Sequence, residues 1–160
     1  MTIKYNSIVH PRPTNELLQK MEKYWEVTLP KDYREFIMKY NGGIPNENQF
    51  CSPCHQWDGM NRFLCVLENY RDNPHGWYDI NVIESQIGER LTTNPELTGI
   101  DLLPIADLYF GDYLCLDFRN DKKNPTICIW SHEESGDFDP TTYPLANNFT
   151  EFLGMLTTLE

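Results

Sequence analysis

Cys51-Ser52-Pro53-Cys54-His55 is the stretch of this chain whose residue types and spacing match a chemical motif. C-x-x-C-H is the pattern of covalent haem attachment, and C-x-x-C alone serves redox chemistry or half of a zinc site. Haem attachment of that kind requires export, and residues 1–13 carry no apolar run that would act as a secretory signal. Redox use favours a pair at a helix start after a strand, whereas this pair lies in a polar stretch broken by Pro53. A structural zinc site needs four ligands. Cys51, Cys54 and His55 offer three at most, with His75 or His132 as a distant fourth. The sequence therefore assigns no cofactor and no metal, and reads the pair as incidental loop thiols. A metal or redox site at Cys51, Cys54 and His55 stays as an alternative. Patterns for catalysis are missing: no G-x-S-x-G, no phosphate loop and no H-E-x-x-H. His10, His55, His75 and His132 are scattered between elements, so no enzyme is expected.

A second constellation suits binding. Asp107, Tyr109, Phe110 and Asp112 fall between two expected strands, and Glu133, Glu134, Asp137 and Asp139 follow the next hairpin. In an antiparallel arrangement both groups reach one end or one face of the sheet. Aromatic rings there give contact area of fixed shape, and carboxylates steer and pair with Lys or Arg. The competing reading is that the two rings pack in the core or a turn and the carboxylates form a solvated face. Asp137 and Asp139 lack the rest of a calcium loop. The balance of charge suits a basic partner and plain solubility alike. The chain has 24 acidic and 13 basic side chains, a net of −11. Residues 101–160 hold 11 acidic and 3 basic groups, or −8, and residues 1–100 hold 13 and 10, or −3. Such a surface repels nucleic acid and anionic lipid. No stretch approaches the length of a membrane span, and five cysteines without an export signal point to reduced thiols in the cytoplasm.

The elements that must position these groups follow from pattern. At 160 residues the chain has the length of one domain, which buries about 70% of the surface its unfolded form exposes. After an extended lead-in over 1–13, Thr14 caps a first helix to about Tyr24, striped by Leu17, Leu18, Met21, Tyr24 and Trp25. A second helix opens at Pro30 and closes at Asn41-Gly42-Gly43, with Tyr33, Phe36, Ile37 and Tyr40 on one face. The two should form a hairpin over one face of a sheet. Residues 44–60 are rich in turn formers and read as a long variable loop. Strands are expected over 61–67, 101–106, 113–119 and 126–130, with a short one at 78–80 and a helix over 82–91. Residues 131–143 read as irregular. Asn148 caps a last helix lined by Phe149, Phe152, Leu153 and Leu156. Cys65, Cys115 and Cys128 alternate among strand apolars as small core residues. The sum is α+β, an antiparallel or mixed sheet with helices packed on it.

Three runs of this sequence also resemble the SUKH superfamily, which includes yeast cell-wall regulators and bacterial immunity proteins. The first is Leu29-Pro30-x-Asp32-Tyr33-x-x-Phe36-Ile37-x-x-Tyr40-Asn41-Gly42-Gly43. The second is Leu103-Pro104-Ile105-Ala106-Asp107 followed by Gly111-Asp112-Tyr113-Leu114-Cys115-Leu116-Asp117. The third is Asn148-Phe149-Thr150-Glu151-Phe152-Leu153. They occur in the family's order across residues 14–156. The resemblance implies an N-terminal helix pair and a C-terminal helix on one sheet, and a non-enzymatic binding protein. For a bacterial member it implies an immunity protein that blocks a toxin, often a nuclease and then basic. A regulatory or scaffolding protein with an unrelated partner is the other reading it allows.

Overall fold

The computed structural model describes residues 1–159. Thr14 caps α1 (Asn15–Trp25) as expected, its Oγ1 accepting from the Leu17 N–H at 3.1 Å. The helix stops at Glu26, which turns left-handed at φ 59°. α2 (Lys31–Tyr40) begins one residue later than the pattern placed it, because Pro30 is extended at ψ 149° and stands outside the helix. Asp32 does more than face the helix dipole. Its Oδ2 accepts from the Thr150 N–H at 3.0 Å and Oγ1 at 2.8 Å, tying α2 to α4 (Phe149–Leu153). Asn148 caps α4 through the Glu151 N–H at 2.8 Å. Tyr33 and Phe36 then meet Phe149 edge-on, with centroids 5.2 and 5.0 Å apart.

The sheet has six strands in sequential order: β1 (Gln49–Ser52), β2 (Gln56–Phe63), β3 (Leu102–Leu108), β4 (Tyr113–Asp117), β5 (Thr126–Trp130) and β6 (Thr142–Ala146). Every ladder is antiparallel. The parallel contact among the described residues is an isolated bridge between Cys65 and Asp79. Helices lie on both sides of the sheet, and the protein is α+β.

Alternation sorts the strand residues into two faces. Leu114, Leu116, Ile127 and Ile129 join the main core with Leu18, Trp25, Tyr33, Phe36, Ile37, Phe149 and Phe152 from α1, α2 and α4. Leu102, Cys115, Cys128 and Trp130 form a smaller cluster on the opposite face, closed by Leu91 beyond α3 (Ile80–Ile87). Cys65, Cys115 and Cys128 are buried free thiols, as the pattern required.

Four stretches differ from expectation. Residues 44–60 are not one loop, since β1 and most of β2 lie there as a hairpin with Cys51-Ser52-Pro53-Cys54-His55 at its turn. Edge pairing hid it: Gln49 and Cys51 face outward while Phe50 and Ser52 face in, and polar residues fill the rest. The strand expected over 61–67 ends at Phe63, although the Leu64 N–H still donates to the Ile105 carbonyl and the Cys65 N–H to the Tyr78 carbonyl, each at 2.8 Å. Beyond Cys65, side chains take over: the Val66 N–H donates to Asn41 Oδ1 and the Leu67 N–H to Asp79 Oδ2, each at 2.8 Å. Residues 78–80 form only the single parallel bridge to Cys65 and no strand, because Gly76–Tyr78 makes a 3-10 turn and Asp79 caps α3. Residues 131–143 yield to β6, which begins at Thr142 and carries Pro144 where an edge strand tolerates a missing N–H.

Candidate functional site

A cleft of about 330 Å³ opens at one end of the sheet. Its walls come from the β1–β2 turn (Pro53, Cys54, His55), the β3–β4 turn (Phe110, Asp112), the stretch after β5 (Ser131, Glu133, Glu134) and Tyr143 of β6. The meander brings these together: successive hairpins return the chain to the same end, so residues far apart in sequence become neighbours.

The β3–β4 turn is held in an unusual backbone shape. Phe110 has φ 66° and Gly111 φ 80°, two left-handed residues in succession. For Phe110 that costs about 1–2 kcal/mol, and its ring gains no core contact in return, being 62% exposed. It lies instead against the His55 ring, with centroids 4.2 Å apart. Strain that keeps an aromatic ring outside is the kind found where a surface is used. Behind it, Tyr109 packs on Gly59, and its Oη accepts from Asn48 Nδ2 at 3.2 Å. A Cβ at Gly59 would stand 2.4 Å from the Tyr109 ring. Gly59→Ala is therefore expected to cost about 1–3 kcal/mol and to displace the turn that carries Phe110 and Asp112. Chemical denaturation measures the loss, and an unchanged midpoint would show that the ring yields freely.

Asp112 is almost fully buried. Its Oδ1 accepts from the His132 N–H at 2.8 Å, and its Oδ2 lies 3.3 Å from His55 Nε2. Asp58 of β2 is also buried. Its Oδ1 accepts from the Gly59 N–H at 2.8 Å, and its Oδ2 has no hydrogen-bond partner. One ligand atom from each of His55, Asp58 and Asp112 falls within 4.8 Å of the others. Burial pushes the Asp58 carboxyl above the ordinary carboxylate range, and Asp112 adds to it, against the Gly59 N–H bond and His55. Burial also raises the Cys54 thiol, with the fields of Asp112, Asp58 and Glu134 adding to it. Cys54 is thus a protonated thiol at neutral pH, the opposite of an activated nucleophile. On the far wall, Tyr143 Oη donates to Glu134 Oε1 at 2.6 Å, a bond that pushes the phenol up. Arg90 ties the same loop down through the His132 and Ser135 carbonyls, at 2.5 and 2.8 Å, and stacks over Trp130.

The residues singled out in the sequence divide accordingly. Phe110, Asp112, Glu133 and Glu134 share the cleft. Asp112 sits there as a buried anchor and not as an outward contact. Asp107 is half-buried on β3 opposite Arg62, with Asn61 Nδ2 3.4 Å away, and burial raises its carboxyl. Tyr109 is half-buried, as turn packing requires. Asp137 borders a separate depression with residues 86–90, and Asp139 is exposed beyond it, its N–H bonded to Gly136. Cys54 and His55 line the cleft, while Cys51 is exposed on β1. Among the described residues Cys51, Cys54 and His55 do not converge as a ligand set; His55 meets Asp58 and Asp112 instead. Asp58, Arg90 and Tyr143 were not picked out from sequence. The one available signal was the His55-x-x-Asp58 spacing, which becomes meaningful only once residues 56–63 are known to be a strand.

No helix among the described residues is long and apolar enough to cross a membrane. The chain is similar to the SPbeta prophage-derived uncharacterized protein YokK of Bacillus subtilis (strain 168). The two are 26% identical over 151 residues, which span 88% of this chain and 72% of that protein. No solved structure matches. The expected three-run signature, the meander and the helix pair are consistent with the family comparison: the SMI1 / KNR4 family (SUKH-1) matches residues 12–155, and this chain belongs to that family.

Proposed function

We propose that the chain, acting over residues 1–160 as a single unit in the cytoplasm, is a non-enzymatic immunity-type protein that binds a basic, nuclease-type toxin and neutralises it by occlusion. Family membership and a prophage-derived relative fit this reading. The observation that carries it is the unpaired acid beside an exposed ring. Among the described residues, Asp107, Glu133, Glu134, Asp137 and Asp139 form no ion pair with Lys or Arg. Phe110 stands out of the surface beside Glu133 and Glu134. Unpaired carboxylates project a field that attracts a basic surface, with association rates up to about 10⁸–10⁹ M⁻¹s⁻¹ at low salt. The ring supplies an anchor of the kind that dominates interface energetics. An interface of standard size, about 1,600 Å² in total, would extend beyond the cleft toward Asp137 and Asp139.

The test pairs the chain with a basic toxin domain encoded beside its gene. Reversing the charge of Glu133, Glu134, Asp137 and Asp139 together is expected to slow association at least about tenfold at low salt and to flatten its salt dependence. Phe110→Ala is expected to speed dissociation by about tenfold or more. Association that keeps its rate and its salt dependence after the reversal would remove this face from the interface.

A further inference from the structure

We infer that His55, Asp58 and Asp112 form a binding site for a divalent transition-metal ion of the zinc class. The first observation is convergence. The β1–β2 hairpin and the β3–β4 turn each deliver donors to one point, with all three ligand atoms inside 4.8 Å. Two ligands of a tetrahedral zinc ion lie about 3.3–3.4 Å apart, and His55 Nε2 and Asp112 Oδ2 are 3.3 Å apart. The second observation is independent of the first. Asp58 is 98% buried by its 2% exposure, and its Oδ2 has no donor within reach. A buried carboxylate oxygen without a partner is costly. A protonated His55 satisfies Asp112 but leaves that Asp58 oxygen unsatisfied. A single cation bound to all three atoms satisfies every one.

The donor set selects the ion. One imidazole nitrogen with two carboxylate oxygens suits zinc and its first-row neighbours, and an imidazole argues against calcium or magnesium, which take oxygen. Three protein ligands leave a fourth position open, and two of them, His55 and Asp112, line the cleft with Cys54, Glu134 and Tyr143. The groups that would orient the two carboxylates are already in place. The remaining Asp58 oxygen holds the Gly59 N–H and the remaining Asp112 oxygen holds the His132 N–H, so both carboxylates are already oriented. The site is distinct from the C-x-x-C-H pattern in the sequence, since it uses only the histidine of that motif.

The test uses the full chain stripped with a chelator and then titrated with Zn²⁺, without any protein partner. One equivalent is expected to bind, and an excess of about a hundredfold over Kd is expected to raise the melting midpoint by about 5–10 °C. Asp58→Asn and His55→Gln should each weaken binding by at least about tenfold; His55→Gln is a surface change that leaves the fold intact if the buried Asp58→Asn does not. With Co²⁺ as the probe, the visible spectrum is expected to lack a thiolate charge-transfer band. Absence of binding overturns the inference. So does binding that survives both substitutions, or binding lost in Cys51→Ser and Cys54→Ser with a thiolate band present. Because no toxin enters the measurement, failure here leaves the proposed function standing, and the reverse also holds.

Discussion

Asn41→Ala is expected to cost about 3–5 kcal/mol of folding stability, read as a loss of denaturation midpoint with the transition still cooperative. Asn41 is fully buried. Its Oδ1 accepts from the Val66 N–H at 2.8 Å, and its Nδ2 lies 3.1 Å from the Val9 carbonyl and 3.3 Å from the Val66 carbonyl. Its own carbonyl accepts from the Val9 N–H at 2.7 Å. One side chain thus completes the hydrogen bonding of two segments that belong to no ladder, the lead-in near Val9 and the extension of β2 near Val66. Alanine strands the Val66 N–H and both carbonyls in a dry interior, and each such group costs about 1–3 kcal/mol. Asn41→Asp preserves the acceptor but points a second oxygen at the carbonyls, so it should be no milder. A loss below about 1 kcal/mol for the alanine variant would mean that water or backbone movement replaces these bonds. The Asn41-Gly42-Gly43 run is therefore more than a helix stop. Gly42 follows with φ 66° and packs against Val9, and its carbonyl takes two bonds from the buried Arg62 at 3.1 and 2.6 Å.

That node shows what a sequence can and cannot display. The helices were legible because their information is local: Thr14 and Asn148 cap by bonding residues three positions on, and apolar spacing marks the buried stripe. The central strands were legible because their alternation is local too: Leu114 and Leu116 fall on one face and Tyr113, Cys115 and Asp117 on the other, with buried residues on both. β1 and β6 were not, since an edge strand carries polar residues and even Pro144, the composition of a loop. The site was half legible for a related reason. The acidic and aromatic types at Phe110, Glu133 and Glu134 stood out as surface chemistry. The pairing of His55 with Asp112 joins residues 57 positions apart and depends on the hairpin hidden in residues 44–60. Asp58 looked like a turn residue until its strand placed it inside.

Asp79→Ala is expected to cost about 2–4 kcal/mol, the sum of a lost helix cap and an orphaned amide. Asp79 is 1% exposed. Its Oδ1 accepts from the Asn81 and Val82 N–H groups at 2.8 and 3.2 Å, starting α3, and its Oδ2 accepts from the Leu67 N–H at 2.8 Å, anchoring the segment beyond β2. Alanine releases all three. The charge of this group adds a pH dependence whose sign is set by a contest. Burial raises the carboxyl above its ordinary range, and the three N–H bonds pull it down, with burial the larger effect. A carboxyl raised in the folded state binds its proton more tightly there than in the unfolded chain. Its contribution is then complete below the ordinary carboxylate value, about 3.9, and is lost as pH rises through the folded value. Asp79→Asn removes that titration while keeping an oxygen for the cap. The stability gap between the wild-type chain and Asp79→Asn should therefore be wider at about pH 4 than at about pH 7.5. Urea denaturation of both chains at the two pH values measures it. A gap that instead widens toward neutral pH would mean that the three amides outweigh burial, making Asp79 a stabilised carboxylate that holds α3 and the β2 extension together by its charge.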